Sequence, residues 1–555
     1  MRKQFSPQKH ADQLKKILIA IELGRKLSYK ELRKLLVRYP KNGSGFFSKD
    51  ELVAGYHYLT SKGDLELNSN LLEKIRMKPS RTMSGVTTVT VLTKPYPCPG
   101  NCIFCPDDIR MPKSYLSNEP GAQRAEKNLF SPYLQTYNRL VAIHNIGHNT
   151  DKVELIILGG TWSHYPEDYQ VWFIKECFRA LNDFSVTEDI KEIEPSEYTI
   201  PTLEEQSTEW DQLFAEHKKN EVANSRCVGL VVETRPDNLT QSEVLRIRKL
   251  GATKVQLGFQ SLNDQILAKN GRGHTVSDTI NAVSLLRKAG FKIHAHWMAN
   301  LNGSNVQKDI EDYKKLWTKG FQPDEIKIYP TSILEGTVLN KLYQQGKYRP
   351  YTHDELMNVV TNAMKFTPRY CRITRVIRDI PSDDIVKGNK FTNFRQMAEE
   401  ELLQQGSPCQ CIRCREIKGQ KVTEHELIEE IIEYETKEGT EFFISYKTKI
   451  DDKIVGFTRL SIPRQKETFT HFIPELTGMA LIREVHIYGK VVGIGEKEKG
   501  KSQHLGLGKN LIQKAEEISK RNGLKGVSVI SAIGTREYYR KIGYSDGDLY
   551  LHKKL

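Results

Sequence analysis

Six short β-rich runs recur between residue 81 and about residue 335, with helix-patterned segments between most of them. The runs are VTTVTVLT (86–93), VELIILGG (153–160), CVGLVVET (227–234), KVQLGFQS (254–261), KIHAHWMA (292–299) and EIKIYPTS (325–332). Parallel strands need long crossovers, and helices such as SEVLRIRKLGA supply them, so the alternation specifies a parallel sheet in an α/β fold. The runs are apolar with little alternation, which predicts that both sheet faces are mostly covered. Six units are too few for a closed eight-stranded barrel. The reading is a partial (β/α)6 barrel, with its chemistry at the C-terminal ends of the strands.

The loop just past the first run holds Cys98, Cys102 and Cys105 in PCPGNCIFCP, a C-x3-C-x2-C spacing. A single structural metal ion normally takes four ligands. Three thiolates suit a [4Fe–4S] cluster held at three corners, with one iron open to a substrate. A zinc site completed by a distant residue, or free thiols, are the alternatives. A second group, SPCQCIRCREIK, spaces Cys409, Cys411 and Cys414 as C-x-C-x2-C at a domain junction. A structural zinc is the simplest reading there, against free cysteines or a second cluster; no fourth ligand stands nearby. The remaining cysteines, Cys177, Cys227 and Cys371, read as buried core thiols. The N-terminal charges have no apolar signal core behind them, so a cytoplasmic protein is expected, with cysteines used for metal or redox chemistry. No apolar run approaches the ~20 residues needed to span a bilayer, so no membrane partner is expected.

The net charge is +14 over 555 residues and is unevenly spread. Residues 1–80 carry 17 Lys and Arg against 8 Asp and Glu. Their helical periodicity puts Lys15, Lys16, Arg33 and Lys34 on polar faces, which suits a polyanion such as nucleic acid; a merely solvated face is the alternative. Residues 186–222 carry 11 acidic and 3 basic side chains and read as an acidic surface insertion.

Beyond residue 420 the character changes. LIREVHIYGKVVGIG (481–495) reads as a strand and its extension. In QHLGLGKNLIQKAEEISKRNG, Gln503, Gly506 and Gly508 open a helix whose apolar stripe is Leu507, Leu511, Ala515 and Ile518. Glycines let a backbone approach a pyrophosphate, and the helix N-terminus binds it. The expected organisation is a basic helical region (1–80), a partial barrel (81–400), a Cys-rich zinc linker (401–420) and a second α/β domain (421–555).

The cysteine loop resembles that of the radical S-adenosylmethionine (SAM) enzymes. That resemblance implies that the open iron chelates SAM and that reductive cleavage yields a 5′-deoxyadenosyl radical. It implies SAM contacts at Gly159, Gly160 and Thr161 after the second strand, and at Glu233, Arg235, Gln260, His296 and Met298 on later ones. Lys327 and Tyr329 on the sixth strand are candidate catalytic residues. The C-terminal region is similar to GNAT acetyltransferases, which bind acetyl-CoA. There Tyr539, five residues before Tyr544, is placed to protonate the leaving CoA thiolate.

The combination resembles the family of the catalytic subunit of Elongator, the tRNA uridine(34) acetyltransferases. KPSRTMSGV, CIFCP, DKVELIILGGT, VVETRPD, GRGHTV, REVHIYG and GTREYYRKIGY carry this resemblance over nearly the whole chain. It implies carboxymethylation of C5 of the wobble uridine of tRNA, with acetyl-CoA supplying two carbons. Acetyl-CoA contacts are implied at Lys152, at Glu484, Val485, His486 and Ile487, at Leu507, Gly508 and Lys509, and at Tyr539. Accessory Elongator-like subunits or self-association are implied as partners. A protein lysine acetyltransferase with Glu484 as general base is the alternative; a tRNA-binding scaffold with decayed catalytic domains is a third. Cooperation between the domains leads to the expectation that the GNAT region faces the C-terminal mouth of the barrel.

Overall fold

The chain begins with a small helical unit whose core is set by helical spacing. In the computed structural model, which describes residues 5–24, 28–82, 84–186, 190–199, 209–420, 422–464, 471–488 and 506–555, this unit has four α-helices. They are α1 Ala11–Leu23, α2 Tyr29–Arg38, α3 Lys49–Ser61 and α4 Ser69–Ile75. Leu14, Ile17, Leu18 and Ile21 recur at three- and four-residue steps, so one face of α1 is buried against Leu52, Val53, Tyr56 and Leu71. A capping box of Ser28 and Glu31 starts α2. Backbone and ring contacts fix the unit to the barrel region: Met77 N donates to Ile146 O at 3.1 Å, and the His57 and His144 rings stack at 4.2 Å.

The parallel sheet has strands β1 Thr87–Leu92, β2 Lys152–Leu158, β3 Arg226–Thr234, β4 Lys254–Gln260, β5 Lys292–Ala299 and β6 Glu325–Pro330. A two-residue β7 (Ile333–Leu334) comes next, and then β8 (Arg372–Arg375) adds a short seventh strand beside β6. The order is β1-β2-β3-β4-β5-β6-β8, so the sheet curves but does not close. β7 pairs instead with β9 Ile385–Lys387. Helices such as Pro132–His144 and Glu167–Asp183 cover the outer face. The inner face is more polar than the apolar character of the runs suggests. It is lined by Thr88, Glu154, Gln256, His294, His296 and Lys327, so the lumen is polar rather than an apolar core. Ion pairs cover it: Lys254 Nζ lies 2.7 Å from Glu154 and 3.2 Å from Glu325. The acidic segment is also corrected in part. Its end is the helix Trp210–Asn220, which buries Leu213 and His217, and Asn182 Nδ2 donates to Glu216 Oε2 at 2.8 Å.

The second sheet is built from β10 Leu427–Glu435, β11 Gly439–Thr448, β12 Ile454–Pro463, β13 Met479–Ile487, β14 Gly526–Val529, β15 Ser545–Asp546 and β16 Leu551–Lys554. β13 and β14 are its parallel pair, in register from Met479–Gly526 to Ile482–Val529. β13 then runs on to Ile487 without β14, which opens a notch at that edge. The helix Leu507–Arg521 buries Leu507, Leu511, Ile512, Ala515 and Ile518 against the sheet.

This domain docks on the N-terminal ends of the barrel strands, not on the C-terminal mouth, which overturns the expected orientation. Arg483 of β13 donates to Asp324, just before β6, at 2.6 and 2.9 Å. Lys292, the first residue of β5, pairs with Glu484 at 2.5 Å. The two domains approach closely at glycines. A Cβ on Gly534 would stand 2.6 Å from Arg226 Cβ, and one on Gly290 would stand 2.5 Å from Leu481. No helix among the described residues is long and apolar enough to cross a membrane.

Candidate active site

The cysteine loop leaves β1 and folds over the C-terminal ends of the strands. Cys98, Cys102 and Cys105 line a cavity of about 80 Å³ with Gly160, Thr161, Glu233, Arg235, Gln260 and Arg272. The groups around the thiols are donors. Gly100 N donates to Cys98 Sγ at 3.5 Å and Arg272 Nη1 to Cys102 Sγ at 3.4 Å. Arg235 Nη1 and Arg272 Nε are buried without a hydrogen-bond partner among the described residues. Burial and the Cys102 thiolate push the Cys105 thiol up to about 12. Among the described residues only Cys409, Cys411 and Cys414 bring three ligating atoms within 4.8 Å of one another. Three thiols of one loop share a single cavity with spare cationic donors beside them, so the residues fit a [4Fe–4S] cluster. Gly159 keeps the floor open: its φ is 140°, and a Cβ there would stand 1.7 Å from Thr93 Oγ1.

Below the cysteines, the lumen carries a polar relay. Tyr115 donates to Glu233 Oε2 at 3.4 Å, and His296 Nδ1 lies 3.8 Å from Glu233. His296 Nε2 meets Gln256 Oε1 at 2.9 Å, and Lys327 Nζ donates to the same oxygen. Burial, with Lys327 beside it, holds His296 well below the usual imidazole range, so it is neutral. Burial lowers Lys327 to about 8 and raises Tyr329 to about 12. Glu233, Gln260, His296, Met298, Lys327 and Tyr329 all line one cavity of about 400 Å³, with Cys105 at its top.

A second cavity, of about 410 Å³, continues to the base of the barrel. It is bounded by Glu484, Val485, His486 and Tyr539 of the second domain, and shares Thr90, Leu158, Lys327 and Arg375 with the first. The predicted acetyl-CoA residues gather around this end. Gly506, in the left-handed region at φ 68°, caps the helix that Leu507, Gly508 and Lys509 begin. The first N–H groups of a helix generally lack a partner within it, although here Lys509 N donates to Gly506 O at 3.0 Å. A Cβ on Gly508 would lie 3.1 Å from the Tyr538 hydroxyl and 3.8 Å from Ile487, which brings the glycine turn to the free end of β13. Lys152 starts β2 at the same end, and burial lowers its amine. Gln503 lies outside the described residues. Glu484 is buried between Lys292 and Arg459; burial opposes its charge, but the two cations outweigh that and hold it below the usual carboxylate range.

Sequence reasoning missed Arg272, Gln256, Lys292, Arg459 and Tyr538. Two of these carried a signal: Tyr538 as the neighbour of the chosen Tyr539, and Arg272 as the arginine of GRGHTV. The other sites lie apart. Cys411 Sγ and Cys414 Sγ are 3.6 Å apart, Arg395 donates to Cys414 Sγ at 3.4 Å, and Glu399 Oε1 lies 3.4 Å from Cys414 Sγ. Of the predicted RNA contacts, Lys15 pairs with Asp64 at 3.2 Å, and Lys16, Arg33 and Lys34 make no ion pair within 4 Å among the described residues.

Known families match both halves. The Radical SAM superfamily matches residues 96–316, the Radical_SAM C-terminal domain 323–404 and the Acetyltransferase (GNAT) family 413–544. The fold and site thus define a radical SAM half-barrel joined to a GNAT domain. The tRNA uridine(34) acetyltransferase of Methanocaldococcus infernus is 36% identical over 560 residues, covering 98% of each chain. That of Dehalococcoides mccartyi is 39% identical over 86% of this chain and 99% of its own. Elongator complex protein 3 of Danio rerio is 33% identical over 87% of each. The solved structure of archaeal Methanocaldococcus infernus Elp3, lacking residues 1–46, superimposes with a TM-score of 0.69 at 34% identity over 85% of this chain and all of that one. The chain belongs to this family of tRNA uridine(34) acetyltransferases and Elongator complex protein 3.

Proposed function

We propose that the chain is a tRNA uridine(34) acetyltransferase that carboxymethylates C5 of the wobble uridine. The observation that carries this reading is the shared wall of the two cavities, which joins the cysteine loop to the GNAT strand β13 through the barrel. Cys98, Cys102 and Cys105 would hold a [4Fe–4S] cluster, with Gly159, Gly160, Glu233 and Gln260 around SAM. Together cluster and SAM would supply a 5′-deoxyadenosyl radical, which makes carbon–carbon bonding possible at an unactivated methyl. The helix N-terminus at Gly506–Lys509 would take the CoA pyrophosphate. β13 from Glu484 to Ile487, with Lys152, would guide the acyl arm toward the lumen. Tyr539 would return a proton to the departing thiolate. Lys327, whose amine burial lowers to about 8, would hold the acyl oxygen beside Tyr329. Cys409, Cys411 and Cys414 would hold a structural zinc, with Glu399 as fourth ligand. Relatives named for the Elongator complex support association with further subunits.

A lysine acetyltransferase is the weaker reading. Its base, Glu484, is already engaged by Lys292 and Arg459, and the barrel covers its approach. The test is isotopic. Acetyl-CoA deuterated at the methyl should give deuterated 5′-deoxyadenosine and tRNA carrying the two carbons at C5. Acetyl transfer to lysine without SAM, and no deuterium in deoxyadenosine, would overturn it.

A further inference from the structure

The turn that carries Tyr539 belongs to the second domain, but the first domain holds it. The chain leaves β14, makes a 3-10 turn at Ile533–Thr535 and enters the helix Arg536–Lys541. Six residues are too few for a helix to keep its own geometry in water, so its orientation is set by what it packs on. Ala532, Thr535 and Tyr539 border the lower cavity. The other side of the turn lies on the barrel. A Cβ on Gly534 would also stand 2.9 Å from the Cys227 carbonyl oxygen, at the start of β3. Arg248, in the helix Gln241–Lys249, donates to Ser531 O at 2.9 Å and to Leu549 O at 2.6 Å.

Glu221 completes this grip. It follows the helix Trp210–Asn220 of the acidic segment, and its side chain is only 3% exposed. Arg540 donates to its two oxygens at 2.8 and 3.2 Å, and Arg536 donates to one of them at 3.4 Å. The two arginines stand four residues apart on one helix face, so one carboxylate reaches both. Tyr539 lies about 100° round the helix axis from Arg540, so fixing the arginines fixes where its ring enters the cavity. Arg540 has two other carboxylates near it, Glu537 and Asp546. Both belong to its own domain, and at 35% and 54% exposure water and salt weaken their hold.

Resting on the reading of Tyr539 as proton donor to the CoA thiolate, we propose that Glu221 is a positioning residue for that step. Through Arg536 and Arg540 it sets the rotation of the short helix and so the place of the Tyr539 hydroxyl. The barrel domain thereby assembles the proton donor of the GNAT domain. In the step itself, water's oxygen bonds the acyl carbon as the carbon–sulfur bond breaks. The electron pair leaves with sulfur, which takes the phenol proton, and the proton shed by that water restores the phenol. Burial raises the Tyr539 phenol above its ordinary range, so it carries the proton it must give. A displaced hydroxyl loses this transfer. The pyrophosphate site at Gly506–Lys509 lies on a different helix and keeps its geometry.

The test is a double-mutant cycle on the full-length holoenzyme with tRNA present, with free CoA released from acetyl-CoA measured by chromatography. Glu221→Gln should lower kcat about tenfold and move KM for acetyl-CoA by less than about twofold. Glu221→Asp should recover most of that loss. In a Tyr539→Phe background, Glu221→Gln should cost less than about twofold, because the group it places is gone. Amide exchange without acetyl-CoA should quicken about tenfold at Ile533–Lys541 in Glu221→Gln and stay unchanged along β1 to β6. Equal losses in both backgrounds, a loss carried by KM alone, or unaltered exchange in that turn would overturn the proposal. So would an unaltered rate in Tyr539→Phe itself. Should Glu221→Gln not fold, Arg540→Gln is read in the same cycle. CoA release is counted whichever acceptor takes the acyl group. A failed isotope experiment with a non-additive cycle would therefore strike the proposed function and leave the role of Glu221 standing. An additive cycle with deuterium in deoxyadenosine would do the reverse.

Discussion

The two ends of the lumen use charge differently. At the base, Asp324, Arg483, Glu441, Arg459, Glu484 and Lys292 form one chain of buried pairs, with Asp324 and Arg483 fully enclosed. At the top, Arg235 Nη1 and Arg272 Nε are left unpartnered among the described residues, and the Lys327 amine is pushed toward neutrality. Buried ion pairs add little net stability over well-packed apolar side chains, but removing one partner is strongly destabilising. The base therefore fixes which surface docks on which. Unsatisfied buried donors cost roughly 1–3 kcal/mol each, and a ligand that accepts from them recovers that cost. At the base Arg459 Nη1 and Glu441 Oε1 also lack a hydrogen bond among the described residues, but each keeps an opposite charge at 3.4 Å, whereas the top leaves its spare donors beside thiols.

The largest effect that bears on this contrast is all-or-none. Cys98→Ser, Cys102→Ser or Cys105→Ser should abolish the brown absorbance of anaerobically reconstituted protein and SAM cleavage, with little change in Tm. A large loss of Tm would mean that these thiols are part of the scaffold. Next comes Arg483→Met, which takes from Asp324 and Glu441 their closest cation and leaves them Arg459 and Arg287 at 3.4 Å. Chemical denaturation should report a loss of about 3–5 kcal/mol, with cluster absorbance retained. A near-neutral result would show that the base is held by apolar contact instead. Smaller again is Cys409→Ser. It should lower Tm and the content of the zinc proposed for that site while leaving the visible absorbance intact. Loss of the absorbance would reverse the roles of the two cysteine groups.

The strands and both cysteine groups were legible in the sequence, because period and spacing are local. The docking side was not. Asp324 and Arg483 are 159 residues apart, each next to a second charge beside or within a short strand, and nothing in either segment names its partner. The polar lumen was legible only residue by residue, at Glu233, His296 and Lys327; its ion pairs were not, for a related reason. In KVQLGFQ and EIKIYP the inward side chains are long, and their ion pairs form only when neighbouring strands bring them together. The acidic run misled through composition: Glu216 and Glu221 carry charge on a helix end that is packed, where Lys219 and Arg540 neutralise them.

The smallest predicted effect tests the lumen where the two ends meet. Lys327 lies in the wall shared by both cavities, and burial lowers its amine to about 8 from an ordinary lysine value of 10.5. Below pH 8 the folded protein must keep this charge in a poorly solvated place, so the penalty is full. Between about pH 8 and pH 10.5 the unfolded chain still binds the proton while the folded one releases it, so stability rises with pH across that window. Lys327→Met removes the penalty at every pH. Its stability relative to the unaltered protein should therefore be highest near pH 7, by roughly 1–2 kcal/mol after allowing for water in the lumen, and should shrink by pH 9.5. Paired denaturation curves at the two pH values measure it. A gap that stays constant with pH would mean that Lys327 is as well solvated or as fully paired as Lys254 at the base, and that the contrast between the two ends begins only above it.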